Sequence, residues 1–170
     1  MSIQLIFVVE TTKNNNSDWL YINNAVKYFY IDDNKAKLSC VYMNTKTRYN
    51  SDSVISKISQ QIKDYSDRDS IVIYCCDYDS PDINHSDMLL NDRIESFCIK
   101  NKYELIWFGR NIEEVFKGHD VNNNEKQKEA QRFVANLEIK KVKIANLQSK
   151  VIGNHKSNFL LVLDKYLNKK

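Results

Sequence analysis

Short apolar runs alternate along the chain with longer stretches in which apolar residues recur every three or four positions. IQLIFVV at 3–9, KLSCVYM at 37–43, SIVIYCC at 70–76 and YELIWF at 103–108 have the length and unbroken apolar character of buried strands. Between the first two, Ser17 or Asp18 can cap a helix carrying Trp19, Tyr21, Ile22, Ala25, Val26 and Phe29. Residues 52–65 place Val54, Ile55, Ile58, Ile62 and Tyr65 at helical spacing, and a helix from about 86 to 101 carries Met88, Leu89, Ile94, Phe97 and Cys98. Strand–helix alternation of this kind predicts βαβ units, hence an α/β fold with a mostly parallel sheet of about four strands flanked by helices.

The pattern changes beyond the fourth strand. NIEEVFKG at 111–118 reads as a short helical piece, followed by a polar loop containing Asn122, Asn123 and Asn124. A long helix is expected to start near Glu125 with Ala130, Phe133, Val134 and Leu137 inward. EIKKVKIANLQSKV at 138–151 fits a continued helix as well as loop plus helix; Gly153 breaks it, and Ser157 can cap a last helix through Phe159, Leu160, Leu163 and Leu167. No internal repeat and no Pro- or Gly-rich linker divides the chain. The expectation is one domain over 1–170, with a core to about 118 and a helical basic extension over 119–170. Three Gly and one Pro in the whole chain leave no room for a dinucleotide-binding or P-loop glycine signature.

Composition narrows the class. At 170 residues, 42% hydrophobic and 28% charged, the chain suits one folded domain rather than a disordered segment. Its longest apolar runs, IFVV at 6–9 and FLLVL at 159–163, are too short to cross a bilayer, and no secretory pattern is visible, so a cytoplasmic protein with no membrane partner is expected. Cys40, Cys75, Cys76 and Cys98 lack metal-binding spacing and read as small core residues of a reducing compartment. The net charge of +3 is unevenly spread: residues 117–170 hold 12 Lys/Arg against 5 Asp/Glu, whereas the first 116 hold 13 against 17. An acidic front half with a basic tail suits a carboxylate site beside an anion-binding surface, and equally a solvated surface.

Candidate chemistry lies where strands end. IVIYCCDYDS at 71–80 is an apolar strand that stops at Asp77, with Asp79 two places on; the first strand likewise ends in Glu10. Ligands of parallel α/β sheets gather outside the carboxyl ends of the strands, and residues two apart in extended chain point the same way. Oxygen-only acidic clusters suit Mg²⁺ or Mn²⁺, which complete their shells with water and substrate phosphate. The competing reading is a solvated turn over Asp79-Ser80-Pro81-Asp82.

A Glu after strand one with D-x-D after strand three resembles the Toprim domain of topoisomerases, bacterial primases, OLD-type nucleases and recombination proteins, over about the first 118 residues. Within that superfamily the chain looks most like the RloB-like proteins of bacterial restriction and defence loci. Their T-E-x-x-Y-F element is similar to S-D-W-L-Y-I at 17–22, their D-x-D to CDYDS, and their F-E-x-W to IEEVF at 112–116, with Glu113 at the glutamate position. The resemblance implies a Toprim-like, Rossmann-like fold and a Mg²⁺-dependent (or Mn²⁺-dependent) nuclease of a bacterial or phage defence system acting on DNA or RNA. Glu10, Asp77 and Asp79 would be its metal-binding and catalytic residues, joined by Glu113. Thr11 stands where the family glycine is usual, Gly109-Arg110-Asn111 replaces an Asn-Pro, and the trailing histidine is missing unless His119 takes its place.

Other residues fill out the candidate set. Lys13, beyond Glu10, and Arg110, after the fourth strand, are placed to meet a substrate phosphate. Glu113 is either a further ligand that orients water or a carboxylate favoured at a helix N-terminus. His85, His119 and His155 form no i,i+4 pair, and Lys140, Lys141, Lys143 and Lys150 lack the interleaved aromatics of a single-strand stacking surface. A receiver-type phosphoacceptor reading of Asp77 is set aside, because only one acidic residue follows strand one. Two functional readings therefore stand: a metal-dependent phosphoryl-transfer enzyme, and a non-catalytic Toprim-like module. The second would bind nucleic acid or a larger protein partner, alone or as a homo-oligomer.

Overall fold

Four strands, β1 (Ile3–Val9), β2 (Ala36–Tyr42), β3 (Asp69–Tyr78) and β4 (Glu104–Gly109), form one all-parallel sheet in the order β2-β1-β3-β4. The computed structural model describes residues 3–31, 36–79 and 85–170, the side chain of His85 excepted. From β1 the chain steps outward to β2, then crosses back to β3 and on to β4. With crossovers of one hand, that reversal sends the first connecting helix to one face of the sheet and the next two to the other. The packing follows this rule. Helix α1 (Ser17–Phe29) lies over Leu5, Phe7, Val9, Ile73 and Cys75, whereas α2 (Asp52–Lys63) and α3 (His85–Asn101) cover Ile6, Val8, Val72, Tyr74 and Cys76. The α/β class read from the apolar pattern is the one observed.

The α1 face also carries α4 (Ile112–Lys117), α5 (Lys126–Ala135), α6 (Ile144–Leu147) and α7 (Phe159–Leu163), with a 3₁₀ turn at Glu138–Lys141; a second 3₁₀ turn, Lys46–Arg48, lies between β2 and α2. Phe116, Phe133, Phe159, Leu160 and Leu163 join the same cluster as Leu5 and Phe7, and Tyr21 packs edge-on to Phe133 at 5.0 Å. Residues 119–170 thus bury apolar surface against the sheet layer itself.

Several boundaries differ from the sequence reading. Strand β3 runs two residues further, through Asp77 and Tyr78, because Asp77 stays in register with Phe108 of β4. Helix α5 stops at Ala135, and Leu137, expected inward, takes a left-handed φ of 53° and is 52% exposed. The turn there lets Ile139 fill the core position instead. The expected last helix through Leu167 is reduced to the five residues of α7. Met88 and Leu89 are exposed, so α3 buries only its Ile94–Cys98 side. The turn read at 79–82 lies, from Ser80 onward, outside the described residues.

The segment after α6 straps β4. Gly109 N–H donates to Lys156 O at 2.8 Å, Phe108 bridges Ser157, and Ser157 Oγ donates to Trp107 O at 2.6 Å. A Cβ on Gly109 would lie 1.7 Å from Gly153 O, so this close approach requires glycine. Among the described residues no helix is long and apolar enough to cross a membrane.

Candidate functional site

The strand order reverses between β1 and β3, and the crevice above their carboxyl ends is where such folds hold ligands. Glu10 leaves β1 and Asp77 stands near the end of β3. Alternation carries Asp79 to the same side, and all three line one open cleft of about 500 Å³. Lys46, Asp87, Arg110, Asn111, Asp120, Asn122, Asn123 and Lys126 complete much of its wall.

Two carboxylates are fastened in series by backbone amides, with Asp18, in the first turn of α1, near enough to feel the Glu10 charge. Glu10 Oε1 accepts the N–H of Asp77 at 2.9 Å, and Asp77 Oδ1 accepts the N–H of Ile112 at 3.0 Å. Glu10 therefore ties the end of β1 to the end of β3, and Asp77 ties the end of β3 to the start of α4. Asn111 caps α4 by accepting the N–H of Glu114 at 2.8 Å, and its amide donates to Asp120 Oδ1 at 3.0 Å, holding the 118–125 loop beside the cleft.

The cost of this gathering shows in proton affinity. Burial, opposed by Lys46 and by the Asp77 amide, pushes Glu10 up to about 7 from an ordinary 4.5. Burial, with the Glu10 and Glu113 charges beside it, pushes Asp18 up to about 8. Asp77 is raised well above the ordinary carboxylate range by burial and by Glu10.

Two lysines answer the acids. Lys46, from the turn after β2, is 9% exposed; its Nζ donates to Asp77 O at 2.6 Å and pairs with Asp87 Oδ1 at 2.6 Å. Lys126, at the start of α5, pairs with Glu113 Oε2 at 3.3 Å. Glu113 is fully buried, and its other oxygen has no hydrogen-bond partner. An unpaired carboxylate oxygen in the interior is costly enough to ask what meets it.

The other sequence candidates divide. Arg110 lines the cleft with a left-handed φ of 68°, its N–H held by Tyr78 O at 2.7 Å and its guanidinium 3.3 Å from Glu114 Oε1. Left-handed backbone in a non-glycine residue at a cleft is the kind of strain found at functional positions. Lys13 is exposed and does not line the cleft. His119 is exposed, its Nδ1 2.9 Å from Asp120 O, and is not among the cleft residues. His155 Nδ1 lies 2.9 Å from Glu114 Oε2. The tail lysines 140, 141, 143 and 150 are exposed.

Asp18, Lys46, Asp87 and Lys126 were not picked out from the sequence. Asp18 occupies the acidic position of S-D-W-L-Y-I, where a helix-capping role hid it. Lys46 follows a strand end, so the rule that pointed to Glu10 and Asp77 points to it as well.

The cleft's acidic donors are all oxygen and carry a surplus of negative charge, which fits a hard divalent cation, whereas Glu113 is fully buried and is not among the residues that line the cleft. The donor set is not a finished cage: Glu10 and Asp77 each spend one oxygen on a backbone amide. Among the described residues no group of three or more His, Cys, Asp or Glu side chains is drawn together as a metal site. No protein-family model matches the chain, and no curated protein matches it closely enough to show kinship. What is shown is the class: a four-stranded parallel, Rossmann-like α/β protein.

Proposed function

We propose that this cleft is a Mg²⁺- or Mn²⁺-dependent phosphoryl-transfer site acting on nucleic acid, that is, a small Toprim-like nuclease. The observation that carries the reading is the Asp77 N–H to Glu10 Oε1 bond, which joins the acids of β1 and β3 at the strand-order reversal. Glu10, Asp77 and Asp79 would hold the cation, with Glu113 behind them. When bound, such an ion polarises a phosphoryl oxygen and acidifies a bound water.

The chain's own residues supply the rest. Arg110 and Lys126 stand on the cleft wall, where a phosphate diester would meet positive charge. Asn111, Asn122 and Asn123 offer amide donors to the sugar–phosphate backbone. The acids would repel a phosphate that arrived without a cation, so binding and metal loading are expected to be coupled. The defence context rests on the RloB-like resemblance alone.

A second reading is favoured by one observation: one oxygen each of Glu10 and Asp77 is already committed to backbone amides. On that reading the acids are structural and the protein is a non-catalytic module for nucleic acid or a protein partner. End-labelled single- and double-stranded DNA and RNA, incubated with Mg²⁺, Mn²⁺ or EDTA, separate the two. Cleavage that needs a divalent ion and disappears in Asp79→Asn supports the enzyme. Tight binding without cleavage under every ion supports the module.

A further inference from the structure

The ammonium of Lys46 sits among oxygens of the type that bind a hard cation. Its Nζ is 2.6 Å from the Asp77 carbonyl and 2.6 Å from Asp87 Oδ1, and the Glu10 and Asp87 carboxylates both favour its charged form. The side chain is only 9% exposed, so this is a seat built into the fold and not a lysine passing over a surface. A backbone carbonyl flanked by two carboxylates is recurrent ligand chemistry for Mg²⁺, Mn²⁺ and Ca²⁺.

We propose that Lys46 is a tethered counter-ion that occupies the cation seat of the metal-free chain and must leave it when a divalent ion binds. The inference rests on the metal reading of the cleft and adds to it a competitor within the same polypeptide. Two positive groups do not share one small, half-buried carboxylate cluster without strong repulsion, because a +2 ion and an ammonium a few ångströms apart are poorly screened from each other there. Lys46 would therefore weaken cation binding while keeping the empty cluster folded. The carboxylates cannot be left bare, since burial of unpaired charge is more costly than a weak ion affinity. Once displaced, the ammonium is available on the cleft wall to meet the anion that a bound ion attracts.

The geometry also sets a sign that a merely structural lysine would not give. Neutralising a structural partner of Asp77 and Asp87 should loosen the cluster and weaken ion binding. Neutralising a competitor should tighten it.

The test is Mn²⁺ affinity, read by electron paramagnetic resonance of the free aqua ion, on the full chain at pH 8.5, where protons compete least. Lys46→Met is expected to bind Mn²⁺ at least about tenfold more tightly than wild type, and Lys46→Arg, which keeps the charge, within about threefold of it. A second measurement needs no variant. Pulse acetylation of wild type with acetic anhydride, read by peptide mass spectrometry, should label Lys46 several-fold faster at saturating Mn²⁺ than in EDTA, with exposed Lys140 unchanged as control. Wild type that binds Mn²⁺ while Lys46→Met binds equally or more weakly, or Lys46 labelling that ignores the ion, would overturn the inference and leave the metal reading standing. No Mn²⁺ binding by any of the three proteins would overturn both.

Discussion

The backbone N–H of Asp77 donates to Oε1 of Glu10 across 2.9 Å, so an acid at the end of β1 stitches the end of the neighbouring strand. Asp77 in turn accepts the N–H of Ile112, the first residue of α4, at 3.0 Å. Each carboxylate therefore has a structural duty as well as a charge, and the two duties can be separated by choice of substitution.

Asp77→Asn keeps an oxygen to accept the Ile112 amide and removes one repelling charge. In EDTA it should melt at or above wild type, and it should lose any stabilisation by Mg²⁺. Asp77→Ala removes the acceptor as well, leaving the Ile112 N–H unpaired at a cost of about 1–2 kcal/mol. Thermal melts of the three proteins with EDTA and with Mg²⁺ give the ordering. An Asp77→Asn protein that melts well below wild type in EDTA and still gains stability from Mg²⁺ would contradict a cation role for Asp77.

The raised proton affinities predict how stability varies with pH. Glu10 at about 7 and Asp18 at about 8 bind protons more tightly in the folded chain than at their ordinary values of 4.5 and 3.8. Between those limits the native state holds more protons than the unfolded one, so stability falls as pH rises from about 4 to about 8. Melting in EDTA should be higher at pH 5.5 than at pH 8.5, and Asp18→Asn should flatten the profile. A profile that rises across this range in wild type would show that these acids do not govern it.

Gly109→Ala tests the strap over β4. The added methyl would meet Gly153 O at 1.7 Å and Lys156 O at 3.0 Å, both backbone atoms that cannot step aside cheaply. A loss of about 2 kcal/mol or more is expected in urea unfolding. Unchanged stability would mean that the 153–157 segment is not held against the strand.

Deleting residues 157–170 should unfold the remainder. It removes Phe159, Leu160 and Leu163, each 0–1% exposed and in one cluster with Leu5 and Phe7, along with the Ser157 and Asn158 hydrogen bonds to β4. Far-UV circular dichroism and cooperative melting of the shortened chain decide the matter. A fragment that melts as wild type does would make the tail an appendage.

How much of this was legible in the sequence depends on the range of the forces involved. The strands were legible because an unbroken apolar run such as IQLIFVV marks a strand buried on both faces. Glu10, Asp77 and Asp79 followed from where those runs stop. The tail was poorly legible because its helices are too short for a periodic stripe. At Leu137 the backbone, and not hydrophobicity, decides which residue turns inward. The position of Lys46 after a strand end was legible, but its pairing was not: nothing local says that it meets a carbonyl 31 positions away, or that Lys126 reaches Glu113 across the 118–125 loop.

Tyr30, at the end of α1, donates to Asp164 Oδ1 at 2.7 Å and bridges Lys169, while the N–H of Ile31 reaches Asn168 O at 2.9 Å. These contacts close a loop of more than 130 residues, so they form late, after the entropy of closing it has been overcome. During synthesis α1, which carries Asp18, leaves the ribosome long before the residues that anchor its far end. The acids of β1 and β3 are therefore expected to reach their final spacing only once residues near 169 have emerged. A nascent chain released short of that point would carry every acidic residue of the cleft on a scaffold that does not hold them together.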